Sequence, residues 1–159
     1  MTYFREEQRF EWYWTAAFFV PAIIVGSALF QQVVLGRVII SGALLWPAFA
    51  VTLVVAIWFL RLKMITEVRD AGLYICFVWL WPERTISWDQ VHIVEERTYR
   101  PIRDFGGWGV RWSARGIVYH ARGNQGVRLT LESGERVLVG SQRMGELAQA
   151  IAARAILPR

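Results

Sequence analysis

The stretch Trp12–Leu60 constrains everything else in this chain. It is almost wholly apolar, and Arg37 is its only charge. Trp12–Gly36 is 25 uncharged residues and Val38–Leu60 is 23 more. About 20 apolar residues cross the hydrocarbon core of a bilayer. The sequence therefore predicts a transmembrane helical hairpin over 12–60, with spans at about 12–32 and 38–60 and a turn near Gln31–Arg37. Neither span holds a His, Asp, Glu, Lys or Arg, which argues against a proton relay, an ion path or a histidine-ligated pigment inside it. The first run is longer than a signal core, follows acidic residues and is succeeded at once by the second. It reads as a span and not as a cleaved leader.

Residues 1–11 read as an interfacial segment. Tyr3, Phe4 and Phe10 would lie in the interface, with Arg5 and Arg9 among headgroups. Trp12, Tyr13 and Trp14 follow as an aromatic belt, and Trp58 sits near the second exit, where amphipathic rings are favoured. Ala22 and Gly26 are four apart, as are Ala48, Thr52 and Ala56. Small residues at that spacing let helices pack closely, although they are also ordinary membrane composition. Arg5, Arg9, Arg61 and Lys63 flank the outer ends of the pair, against Arg37 alone in the turn. The positive-inside rule then puts both termini in the cytoplasm.

Residues 61–159 change to strand patterning. Met64–Arg69, Leu73–Trp81, Thr85–Trp88, Val91–Tyr99, Val110–Ser113, Gly116–Arg122, Val127–Leu131 and Glu135–Val139 are candidates. Pro82 is expected to end the second, and Asp70-Ala71-Gly72 and Ser133-Gly134 to make turns. Arg100–Gly109, with three Gly and a Pro, is the principal loop. A helix closes the chain at about 142–156, with Ser141 as N-cap and Met144, Leu147, Ala148, Ile151 and Ala155 as its apolar stripe. The net charge of +5 falls after Leu60, where 15 Lys/Arg face 10 Asp/Glu. That excess fits an anionic lipid surface and is too diffuse for nucleic acid. A single cysteine, Cys76, excludes an internal disulfide.

About seven short antiparallel strands capped by a C-terminal helix is the order of a pleckstrin-homology-like barrel or sandwich. The chain resembles a bacterial membrane-protein family that places such a cytoplasmic domain after a two-helix hairpin. Residues 66–69 with Gly72-Leu73, 96–102, 105–111, 123–127 and 140–143 carry the resemblance, which covers most of 60–155. It implies an α+β membrane protein of the bacterial inner membrane, multi-pass, and implies no enzyme activity.

Arg97, Arg100, Arg103, Arg111, Arg115, Arg122 and Arg128 fall within 32 residues, with Trp108 and Trp112 between them. Guanidinium forks match phosphate and carboxylate in two-point contacts. Arg97, Arg100, Arg103, Trp108, Arg111, Trp112 and Arg115 are therefore the candidate contacts for a protein partner or lipid; a solvated face with local ion pairs is the plainer alternative. In Phe105-Gly106-Gly107-Trp108-Gly109 the glycines allow close approach and Trp108 offers either an anchor or a plug for its own core. His92, His120 and Cys76 lack metal spacing. Ser87-Trp88-Asp89 with a His lacks the surroundings of a catalytic triad. No catalytic residue, metal or cofactor is expected. The expected function is a non-catalytic accessory or scaffold subunit of a larger membrane assembly, such as an energy-transducing one. The alternative is a tethered module that binds anionic headgroups.

Overall fold

The structure, a computed structural model, describes residues 1–10, 12–36, 42–113 and 116–155, with the side chains of 12–15, 18 and 42 left out. The turn residue Arg37 and the candidate contact Arg115 lie outside the described residues. The fold is α+β: the described residues form nine strands in two sheets and four α-helices. The chain divides into two compact units, Phe10–Leu62 and a β unit made of Met1–Arg9 with Lys63–Arg159.

The helical unit holds α1 (Trp12–Leu35) and α2 (Gly42–Arg61). Phe10 meets Phe59 at a ring distance of 5.3 Å, and Gly26 lies against Phe49. Advancing along α1 thus retreats along α2, so the helices pack antiparallel. The seam is buried at Ala22 and Leu29 on α1 and at Leu45 and Ala56 on α2. Phe49 and Thr52 continue it at helical spacing, half-buried. Ala48, the other expected member of the packing stripe, is exposed, one residue off that seam. The Thr52 hydroxyl donates back to the Ala48 carbonyl, a local bond that satisfies a polar group inside a helix. Elsewhere the apolar side chains point outward, including Val54 at 64% and Trp46 at 58% exposure. Ala43–Arg61, with a mean hydropathy of 2.3, is long and apolar enough to cross a membrane; Phe19–Leu35 of α1 is a shorter apolar stretch.

The first sheet of the β unit is antiparallel, in the order β1 (Thr2–Arg9), β2 (Lys63–Arg69), β3 (Gly72–Val78), β4 (Trp81–Ser87). Thr2–Arg9, expected as an interfacial segment, is a strand with Phe4 turned into the core of the β unit. From Tyr3 onward its burial alternates, with Phe4, Glu6 and Gln8 inward. Gln8 Nε2 donates to the Gly140 carbonyl at 2.8 Å, while its Oε1 has no partner among the described residues, and Glu6 accepts from Ser141 Oγ at 2.5 Å and the Gln142 N–H at 2.9 Å. Outside, Arg5, Glu7, Lys63, Glu67 and Arg69 form a cross-strand charge ladder. The expected long strand Leu73–Trp81 is instead broken after Val78. The chain turns at Trp79-Leu80, and Pro82 lies within β4. As an edge strand of this sheet, β4 tolerates the missing N–H.

The second sheet has the order β5 (Val91–Thr98), β8 (Gln125–Leu131), β9 (Arg136–Gly140), β7 (Gly116–His120), β6 (Gly109–Ser113). All pairs are antiparallel except β7 with β9. A short helix, α3 (Pro101–Phe105), interrupts the expected loop, and α4 (Met144–Ala155) closes the chain against β1, β2, β5 and β8. The sheets cross steeply. Gln8 of β1 meets one end of β9, whereas Arg84 of β4 bonds Glu135 beside its other end at 2.8 Å. Crossed sheets fill the space between them with inward side chains from both, here Met64, Ile75, Phe77, Val127, Leu129 and Val137, all 1% exposed or less. The arrangement is two sheets of four and five strands with no closed barrel, where the sequence suggests a barrel or sandwich of about seven.

Candidate functional site

Two surfaces of the β unit carry residues whose chemistry reaches beyond the fold. The first surrounds α3. Pro101 opens this helix at a position where a missing N–H costs nothing, and the Asp104 carboxylate accepts the Arg100 N–H at 2.9 Å. Gly106, at φ 73°, ends it in the left-handed region, with its N–H returning to the Ile102 carbonyl. Beneath lies a ring cluster: Tyr99, Phe105 and His120 meet edge-to-face with centroids 5.4–6.0 Å apart. Their packing requires Gly140, because a Cβ there would stand 2.7 Å from the His120 Cβ and 2.8 Å from the Tyr99 hydroxyl oxygen.

His120 is fully buried, and neither ring nitrogen makes a full hydrogen bond to the described residues. Burial pushes its pKa down to about 4; the nearby Gly107 backbone opposes this and the Arg111 charge adds to it. Burial likewise raises the Tyr99 hydroxyl. His120 is therefore a neutral core histidine at pH 7. His92 lies apart, exposed and 3.2 Å from Glu132. Among the described residues no three His, Cys, Asp or Glu side chains gather as a metal set.

The candidate arginines divide. Arg97 and Arg128 both pair with Glu95, Arg128 through Nε at 2.9 Å and Nη2 at 2.5 Å. The Arg128 fork is what holds Glu95 below the usual carboxylate range. Arg100 and Arg103 are exposed, and neither forms an ion pair among the described residues. They flank an open cleft of about 470 Å³ with Thr98, Tyr99, Asp104 and Asn124. Beside it a cavity of about 150 Å³ runs in toward Phe105, Val118 and Leu138, rimmed by Arg97, Arg128 and Arg136. The cleft presents two guanidinium groups and an amide against the single Asp104 carboxylate, a lining of net positive charge suited to an anionic group of phosphate or carboxylate type. Arg111 is elsewhere, near Gly107 and His120. Trp108 is half-buried with its indole nitrogen shielded from solvent.

The second surface is aromatic. Trp112 is 61% exposed and meets Trp81 edge-on at 4.9 Å. Trp81 continues a chain of exposed residues, Trp79 and Leu80, at the β3–β4 turn. Sequence reading misses this turn, because Leu73–Trp81 is one unbroken apolar run. Only the tight spacing of Trp79-Leu80 before Pro82 hints at a break. In the helical unit Trp58 is 40% exposed; Trp12, Tyr13 and Trp14 form the first turn of α1, and their side chains lie outside the described ones.

A family of unknown function (DUF6141) matches residues 13–157, and the chain belongs to that family. No protein of curated function matches the chain.

Proposed function

We propose that this member of a family of unknown function is a membrane-anchored, non-catalytic accessory or scaffold subunit. In this reading α1 and α2 both cross the bilayer of a bacterial inner membrane and both termini are cytoplasmic. The β unit is a cytoplasmic module of pleckstrin-homology-like kind, and the helical pair packs laterally against other spans of a larger assembly. The observation that carries it is the outward apolar surface of the helical pair. A two-helix pair buries one narrow seam, and Val51, Val54, Trp46, Ile23 and Ile24 remain exposed around it. Water does not tolerate a patch of that extent, so lipid or neighbouring helices must cover it. The test is extraction of the full chain from its native membrane in mild detergent, followed by native mass spectrometry. A defined assembly with constant stoichiometry is expected; a monodisperse free monomer with no companion would overturn the scaffold reading.

A second reading rests on Arg100 and Arg103, which hold exposed charge beside the cleft and form no ion pair among the described residues. Here the β unit contacts anionic headgroups. Binding of anionic lipid to the full chain in nanodiscs should fall with salt and fall several-fold in a Arg100→Ala/Arg103→Ala variant. Equal retention of neutral and anionic lipid would remove this reading.

A further inference from the structure

The two ends of β3 are built from opposite chemistries. At the Asp70-Ala71 turn, the acid accepts the Tyr3 hydroxyl at 2.6 Å and lies 3.8 Å from Arg154, while the Trp88 indole donates to the Arg69 and Asp70 carbonyls. At the other end, Trp79-Leu80 has none of these partners. Trp79 is 72% exposed, and its φ of 66° makes it the only positive-φ residue other than glycine among the described residues. A bulky side chain in the left-handed region is disfavoured. Strain of that kind persists where the surroundings or a function require it.

Register fixes where this turn lies. Arg9 pairs with Lys63, and Lys63 pairs with Val78. Trp79-Leu80 therefore stands at the sheet end where β1 runs on into Phe10 and where the chain, two residues past Arg61, begins β2. Trp81 sits across from Phe77, at the rim of the core, and carries the patch over to Trp112. Four apolar side chains, three of them Trp, thus crown the sheet end that carries both connections to the helices, beside the basic residues Arg9 and Lys63. Trp beside basic residues is the composition of a membrane–water boundary.

We propose that the Trp79-Leu80-Trp81 tip, with Trp112, inserts into the headgroup–acyl boundary of the leaflet from which the helices emerge. The tip is a third point of attachment, after the two chain crossings, and it keeps the β unit from swinging on its linkers. Its occupant is lipid, because the patch is displayed at the covalent junction with the spans. The inference rests on α2 crossing the bilayer.

The test uses the full chain in neutral phosphatidylcholine bilayers, in a Cys76→Ser background with one nitroxide label placed through Trp79→Cys, Ala71→Cys or Val54→Cys. Relative collision with oxygen and with a water-soluble nickel chelate reads depth. The label at 79 should favour oxygen and be shielded from nickel, as the label at 54 should, while the label at 71 behaves as in water. A label at 79 matching the one at 71, with the one at 54 in lipid, overturns the tip and leaves the span standing. A label at 54 that behaves as in water overturns both. A second measurement avoids the cysteine background. Trp79→Gly, which suits the positive φ, should reduce fluorescence quenching by shallow-brominated lipid and leave iodide quenching unchanged. The reverse pattern overturns the proposal.

Discussion

The two units use the same apolar residues in opposite senses. In the β unit Phe77, Leu129 and Val137 face inward and the surface carries a charge ladder. In the helical pair Ala22, Leu29, Leu45 and Ala56 fill a thin seam while larger residues such as Trp46 and Val54 face out. Hydrophobic burial organises the β unit; under the proposed membrane anchorage, close approach of small residues would organise the helical pair in lipid, and the surrounding medium would decide where each side chain belongs.

That contrast can be broken most sharply by one truncation in each unit. Phe77→Ala should cost the β unit about 3–5 kcal/mol, whereas Val54→Ala in a bilayer should change stability by less than about 0.5 kcal/mol. Denaturant titration of the full chain in nanodiscs, with probes in each unit, measures both. A large cost at Val54 would mean that this face is packed against protein and would sharpen the scaffold reading.

The next effect is a pH dependence confined to the β unit. Unfolded, the His120 imidazole takes a proton near pH 6.5; folded, it does so only near 4. Between those values the unfolded chain binds more protons, so stability is full above about 6.5 and falls as pH drops toward 4. The loss should reach about 3 kcal/mol. His120→Leu should remove that slope, as read by denaturation midpoints between pH 4 and 8. A slope that survives in His120→Leu would assign it to other groups.

Smaller again is the junction between β1 and the α4 approach. Glu6→Gln keeps the shape but weakens charge-assisted bonds to Ser141 and Gln142, at a cost of about 1.5–3 kcal/mol. Hydrogen exchange should then rise in β1 and at 141–146 and stay unchanged in α1 and α2. The smallest effect is Trp79→Gly. It should alter β-unit stability by less than about 1 kcal/mol, because relief of positive φ and added chain freedom oppose each other.

Legibility in the sequence followed the simplicity of each pattern. The helical stretch, α4 and the alternating β8 could be read because one period and one polarity govern each. β1 could not, because its buried face is Phe4, Glu6 and Gln8; the inward polar residues are tolerated only through Gly140, Ser141 and Gln142, more than 130 residues away. The β3–β4 turn was hidden by Trp79 and Leu80, which are not turn formers. Helix α3 was masked by the glycines that end it. At the candidate site, the arginines were legible as a cluster but their division was not. Glu95 lies outside the cluster in sequence and pairs with Arg128 across the β5–β8 ladder and with Arg97 two residues along β5, while Arg100 and Arg103 remain at the cleft.

The central claim is that α1 and α2 cross a membrane together, with the β unit on one side. Two single-cysteine chains in the Cys76→Ser background test it most directly, one through Gly36→Cys after α1 and one through Ala71→Cys in the β unit. Each is exposed to an impermeant thiol reagent in intact cells and in inside-out vesicles. Position 36 should react only from the outer side and position 71 only from the cytoplasmic side. Reaction of both positions from the same side would contradict that claim.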